Sequence, residues 1–174
     1  MIVGRYLIGP FMKKLLLAIL LSACALAAGA QTTDNTIKKE VGAFIDEWHD
    51  DAAHARWAYF DKMAKDGVYI GTDKTELWHR DEFKAWAKRF FERGKAWSFK
   101  AIKRNIYLSD DKKFIWFDEQ LDTQMGVCQA SGVIRKTDQG YLIEHYQLSM
   151  AIPNEINDQV VRAIRDMPAA APAK

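Results

Sequence analysis

Four consecutive segments with strand character constrain the fold of this chain more than any other feature. They are rich in aromatic and β-branched side chains, and they cover residues 97–108, 113–123, 125–136 and 141–151. Short polar turns, including Asp138-Gln139-Gly140, separate the segments. Long strands that follow one another through short turns predict an antiparallel meander.

Apolar residues at helical spacing precede these strands. The stripes lie within residues 37–48, 53–64 and 83–91. The third is the clearest, with Asp81 and Gly94 available as caps. We also expect a short strand at residues 68–70 and a last helix after Pro153. Helices followed by strands predict an α+β fold and not an alternating α/β fold.

The first thirty residues have the pattern of an export signal. Lys13 and Lys14 precede a short apolar run, and Ala28-Gly29-Ala30 fits a small-residue cleavage site. The run is shorter than the roughly 20 apolar residues of a membrane-spanning helix. We therefore predict a signal peptide over residues 1–30, with Met12 as an alternative start, and a periplasmic or secreted protein that begins at Gln31.

A second kind of processing stays open. Leu21-Ser22-Ala23-Cys24 resembles the bacterial lipobox, in which the cysteine is lipidated and becomes the new N-terminus. In that alternative the protein is anchored to the cell envelope through Cys24. An uncleaved membrane anchor is a third interpretation.

Removal of residues 1–30 changes the charge. The whole chain has 25 basic and 23 acidic residues; the signal contains three of the basic ones, so 22 basic and 23 acidic residues remain, a net charge of −1. This balance argues against a nucleic-acid partner.

After removal of residues 1–30, Cys128 is the single cysteine, which excludes an intrachain disulfide. We expect Cys128 to be a small buried apolar residue. We predict one domain over residues 31–167 and a disordered tail over 168–174.

Several segments together resemble a known family. They are residues 71–78, 116–119, 131–136, 141–149 and 152–154. The resemblance is to the SnoaL-like domain family of the nuclear transport factor 2-like superfamily, over about residues 36–156. It implies a cone-shaped α+β fold in which N-terminal helices pack in a strongly curved antiparallel sheet that encloses a pocket. The family includes cyclases, isomerases and dehydratases, and the resemblance also implies a homodimer. The chain departs from the pattern at Gln147, where a histidine is frequent.

The last strand contains an unusually polar row. A period of two puts His145 on one face with Ile143, Gln147 and Ser149, and puts Glu144 on the other face. We interpret the row as a pocket wall in which His145 transfers protons. The alternative is a solvated outer face or a subunit interface.

The strand at residues 113–123 carries one carboxylate on each face, Asp118 and Glu119, among large apolar groups. Apolar surroundings raise the pKa of a carboxylate and suit it to general acid or base catalysis. We predict Asp118 as the pocket carboxylate because Trp116 and Gln120 share its face. The alternative is an ion pair with the neighbouring strand, for which Lys103 and Arg104 are candidates.

These observations predict an exported protein with a pocket for a small organic ligand. If it is an enzyme, we expect cofactor-independent acid–base chemistry of the isomerase, cyclase or dehydratase type, with Asp118 and His145 as the catalytic residues. The predicted ligand-binding residues are Tyr69, Asp73, Trp78, Trp86, Trp116 and Gln147. The alternative is a non-catalytic ligand-binding or dimeric assembly module of the cell envelope.

No cofactor or metal is expected. The histidines nearest each other, His49 and His54, are five residues apart and do not share a helical face as metal ligands at i and i+4 do. The sequence has no phosphate-binding glycine loop and no dinucleotide fingerprint.

Overall fold

The computed structural model describes residues 10–168, with side chains from residue 32 onward. Residues 1–9 of the predicted signal and residues 169–174 of the predicted tail lie outside this range, and the signal residues 10–30 form part of a helix whose side chains are not described. Cleavage, lipidation and tail disorder therefore stay predictions. Within the described residues, no helix combines the length and the apolarity that crossing a membrane requires.

The chain divides into two units, Met1–Ala43 and Phe44–Lys174. The described part of the first unit is helical and belongs to α1, which runs over Pro10–Ala53. The second unit contains the end of α1 and all other elements. These are α2 (Ala58–Asp61), β1 (Met63–Ile70), β2 (Leu77–His79), α3 (Arg80–Phe91), β3 (Phe99–Leu108), β4 (Phe114–Thr123), β5 (Gly126–Thr137), β6 (Gly140–Met150), a 3₁₀ turn (Asn154–Ile156) and α4 (Asn157–Arg165).

The second unit is built on one curved six-stranded sheet in the order β2-β1-β6-β5-β4-β3. The strands β3 to β6 form the predicted antiparallel meander. The strand β1 pairs parallel with β6 and antiparallel with β2. The α+β prediction is therefore confirmed, and the sheet has one parallel pair that the meander pattern does not reveal.

The predicted second helix was wrong in its extent. The apolar stripe within residues 53–64 predicts a helix as far as residue 64, but α2 ends at Asp61 and β1 begins at Met63. The main chain leaves the helix because it pairs with β6 there, where the N–H of Ile143 donates to the carbonyl oxygen of Lys62 at 2.9 Å. Long-range strand pairing thus overrides a local helical stripe.

The interior of the second unit is aromatic. The largest fully buried side chains include Trp48, Tyr59, Phe60, Phe83, Phe117 and Tyr146. The strand β4 alternates as predicted, with one face buried and the other exposed. Cys128 is fully buried, which confirms its predicted place in the core.

A bulge in β6 changes which residues share a face. Val133 pairs with His145 while the next residue, Ile134, pairs with Ile143, so that Glu144 is the extra residue. Ile143 and Tyr146 therefore both lie in the core. The prediction that Ile143 and His145 share a face was wrong, because a strict period of two does not continue through a bulge.

Candidate functional site

A cavity of about 180 Å³ lies between the β1–β2 hairpin, α3 and the start of β3. Its wall is mainly aromatic and includes Tyr69, Trp78, Phe83, Trp86, Trp97 and Phe99. Three of the predicted ligand-binding residues, Tyr69, Trp78 and Trp86, are thus brought together on one wall. Their role in binding stays a prediction.

Local structure explains why these rings converge. Tyr69 and Trp78 are direct cross-strand partners in β1 and β2, so their side chains lie on the same face. Phe83 and Trp86 are three residues apart on α3 and share one side of that helix. Phe83 stacks on Tyr69 at a centroid distance of 4.1 Å and on Trp78 at 5.2 Å. Each such pair contributes about 0.5–1.5 kcal/mol beyond area burial, so these contacts stabilise the arrangement of the wall.

The loop between β1 and β2 forms one edge of the cavity. It is closed by a hydrogen bond of 2.8 Å from the N–H of Gly71 to the carbonyl oxygen of Glu76. Asp73 accepts hydrogen bonds from the N–H and the hydroxyl of Thr75, and these hold the pKa of Asp73 below its ordinary value. Asp73 therefore has a turn-forming role and is not on the described wall of the cavity, and its part in ligand binding stays a prediction.

Glu76 is the one charged side chain on this wall among the described residues. Its Oε2 accepts a hydrogen bond of 3.2 Å from the N–H of Asp73. Burial raises the pKa of Tyr69 and the charge of Glu76 raises it further, so the Tyr69 hydroxyl stays protonated at neutral pH. The cavity thus offers an apolar aromatic surface with one carboxylate and one phenol.

A second group of titratable residues surrounds Glu119 in the core. Glu119 Oε1 lies 2.8 Å from His49 Nε2, and the Tyr146 hydroxyl donates to the same oxygen at 3.1 Å. Arg104, directly opposite on β3, donates from Nε to Glu119 Oε2 at 2.8 Å. Burial alone would raise the pKa of Glu119, but the hydrogen bond and charge of His49 and the charge of Arg104 lower it below its ordinary value.

This network shows which carboxylate of β4 lies inside. Glu119 takes the inward position with Phe117 and Leu121, whereas Asp118, the predicted pocket carboxylate, lies on the other face of the strand. The role of Asp118 as a site residue stays a prediction. The alternative of an ion pair between this strand and Arg104 is confirmed, although the pair is buried and not on the surface. Three partners hold Glu119 ionised, which suits a structural role better than proton exchange.

The remaining predicted site residues lie on the outer face of the sheet. Asp118 and Gln147 line an open groove of about 550 Å³, and the Asn105 amide donates to Asp118 Oδ1 at 2.7 Å. Trp116 is 47% exposed and stacks on Tyr107 with a centroid distance of 5.8 Å. These residues are therefore separated from the aromatic cavity by the sheet itself.

His145 shares this outer face but does not meet Asp118. It pairs across the strands with Val133, which lies two residues along β5 from Ser131, the partner of Asp118. No hydrogen bond or ion pair joins His145 to Asp118 among the described residues. The structure therefore does not bring Asp118 and His145 together, because both lie outside the cavity and β5 separates their strands. Their catalytic role stays a prediction.

The two histidines considered for a metal site have separate surroundings. His49 is buried against Glu119, whereas His54 is exposed and contacts Asp50. In the part of the chain that the structure describes, no group of three or more histidine, cysteine or acidic residues could hold a metal ion.

Comparison with known proteins bears on both the sequence resemblance and the fold. The family model described as a SnoaL-like domain matches residues 41–153. A nuclear transport factor 2-like protein of unknown function from Pseudomonas putida superposes with a TM-score of 0.56 at 11% identity, over 70% of this chain and 91% of that chain. No curated protein matches this sequence.

Two further solved structures with the same fold have functional descriptions. A protein from Parabacteroides distasonis, provisionally described as a ketosteroid isomerase, has a TM-score of 0.53 at 13% identity, over 65% of this chain and 86% of that chain. ActVI-ORFA from Streptomyces coelicolor has a TM-score of 0.51 at 13% identity, over 66% and 96%. At these identities the likeness concerns the fold alone.

Proposed function

The chain belongs to the SnoaL-like domain family, and on that premise we propose that it is an exported protein that binds a small organic molecule in its aromatic cavity. The fold is the cone-shaped α+β fold of the nuclear transport factor 2-like superfamily, which also includes proteins related to isomerases and cyclases. The observation that carries the proposal is the convergence of Tyr69, Trp78, Phe83 and Trp86 on one concave wall.

Ligand binding has stronger support than catalysis. The predicted proton-transfer residues Asp118 and His145 lie on the outer face, away from the cavity. On the cavity wall the titratable groups are Glu76 and Tyr69. A proton-transfer reaction of the isomerase type would have to use Glu76 as the base and the Tyr69 hydroxyl as the donor.

Native mass spectrometry of protein purified from its own host tests the proposal. We expect a co-purifying small molecule on the wild-type protein and its loss from Trp78→Ala, because that change removes one stacked wall of the cavity. Circular dichroism and thermal unfolding would control for the fold of the variant. A ligand that stays bound with the same occupancy in Trp78→Ala would contradict the proposed site.

A second candidate function is dimeric assembly through the outer face of the sheet. Phe114, Trp116 and Tyr107 are each 41–47% exposed there, next to the polar groove. Apolar aromatic residues rimmed by polar ones are typical of interfaces, and we propose a second copy of this chain as the partner.

Sedimentation equilibrium should show a dimer that Trp116→Asp dissociates. The control Ile164→Asp, at an exposed apolar position on α4, should leave the dimer intact, and a monomeric wild type would contradict the candidate.

A further inference from the structure

We propose that the aromatic cavity selects small organic cations, such as those with a quaternary ammonium head group. This inference rests on the proposed function, because it names the ligand class of the same cavity. Its support comes from the sign of the charge on the wall, the aromatic composition of the wall, the position of Glu76 and the size of the cavity.

The charge on the wall has one sign. Among the described residues that line the cavity, Glu76 is the one charged group, and no lysine or arginine is present. The rest of the wall is chiefly apolar, so it screens the carboxylate less than water would. The charge on the wall itself therefore attracts a cation and repels an anion.

The rings add attraction of the same sign. The face of a tryptophan or tyrosine ring is negative, and a cation within about 6 Å of the ring centroid is attracted to it. Trp78, Trp86 and Trp97 all line the cavity. Trp86 already makes such a contact with a cation of the protein, because the guanidinium of Arg89 lies 5.3 Å from its ring. Arg89 is exposed and is not on the described cavity wall.

Glycine at position 71 brings the carboxylate of Glu76 to this wall. A Cβ atom at Gly71 would lie only 2.2 Å from Glu76 Oε2 and 2.9 Å from its Cβ, so any larger residue must displace the Glu76 side chain. The charge of Glu76 acts on Tyr69, whose pKa it helps to raise. Its field therefore reaches the wall at which a cation would bind.

The cavity is small. Its volume of about 180 Å³ lies below the range of roughly 300–1,000 Å³ that is typical of sites for drug-sized ligands. It matches a compact head group, and any longer substituent would have to extend through the opening.

Choline and its neutral carbon isostere, 3,3-dimethylbutan-1-ol, provide the test, because they have the same shape and differ in charge. Isothermal titration calorimetry at fixed ionic strength would compare them. We expect choline to bind the wild-type protein about tenfold or more tightly than the isostere. Glu76→Gln should remove most of this preference and leave binding of the isostere within about twofold.

Two variants make the result specific. Gly71→Ala should reduce the preference for choline as Glu76→Gln does, because it displaces the same carboxylate. Glu92→Gln removes one negative charge from an exposed position at the end of α3, outside the cavity wall, and should leave the preference unchanged. Thermal unfolding would check that all three variants are folded.

The outcomes separate this inference from the proposed function. Equal affinity for choline and its isostere, or a preference that persists in both Glu76→Gln and Gly71→Ala, would overturn cation selection and leave a neutral ligand in the same cavity. No binding of either compound, together with no co-purifying ligand in native mass spectrometry, would overturn both.

Discussion

At the scale of single residues, the two neighbouring carboxylates of β4 have opposite fates. Glu119 is buried and has three polar partners, whereas Asp118 is exposed on the outer face. The alternation of side chains along the strand correctly puts Asp118 and Glu119 on opposite faces. It does not show which of these faces meets the helices. Large aromatic side chains occur on both faces, with Phe117 inside and Trp116 outside, so composition favours neither.

Glu119→Ala should lower the free energy of unfolding by about 3–5 kcal/mol, because it leaves the buried His49 without its charged partner and leaves Arg104 with Asp46 alone. Urea unfolding at pH 7 measures this. Asp122→Ala, at an exposed position near the end of the same strand, is the matched control and should cost far less. Equal losses in the two variants would mean that the network does not stabilise the fold.

The acid dependence of stability should also depend on Glu119. Because the folded state lowers the pKa of Glu119 below its ordinary value of 4.5, the ionised residue stabilises the protein above that pH. This stabilisation is lost as the pH falls through the folded-state pKa. Free energies of unfolding measured between neutral and strongly acidic pH should therefore converge for wild type and Glu119→Gln at low pH. A constant difference across the range would contradict the shift.

At the scale of elements, local pattern predicts most of the sheet and the end of β1 at residues 68–70, but not the full length of β1 or its parallel pairing with β6. The meander and α3 have short-range signals, namely alternation, turns and a clear helical stripe. The strand β1 and the bulge at Glu144 depend on pairing between segments far apart in the sequence. No local pattern contains that information, which is why the faces of Ile143 and His145 were assigned together.

Gly132→Ala tests how closely β4, β5 and β6 pack. A Cβ at Gly132 would lie 2.6 Å from Phe117 Cε1 and 2.8 Å from the carbonyl oxygen of His145, and the backbone atom cannot move away cheaply. We expect a loss of about 1–3 kcal/mol in the free energy of unfolding. Ser131→Ala, whose side chain points to the exposed face of the same strand, should be close to neutral. Similar stability of both variants would contradict the packing.

At the scale of the whole molecule, the cavity and the outer groove are separate places with separate proposed roles. The sequence predicts one site that contains Tyr69, Trp78 and Trp86 together with Trp116 and Gln147. The first three line the cavity, and the last two lie across the sheet from it. Only the curvature of the sheet and the placement of α3 decide which aromatic residues meet, and neither can be read from composition.

Export concerns the whole chain. It can be tested by measuring the intact mass of the protein purified from its host. We expect a mature species that begins at Gln31. A species that begins at a lipidated Cys24 would support the envelope-anchored alternative, and Cys24→Ala should then release the protein from membranes. Recovery of the full-length chain alone would contradict export by either route.

The central claim is that the inner aromatic cavity, and not the outer face, binds the ligand. Trp86→Ala and Trp116→Ala form a matched pair, because each removes one tryptophan, from the cavity wall and from the exposed face respectively. Native mass spectrometry of the two variants, purified side by side from the host, measures ligand occupancy. We predict that the ligand is lost from Trp86→Ala and retained by Trp116→Ala. Retention by Trp86→Ala with loss from Trp116→Ala would contradict the claim.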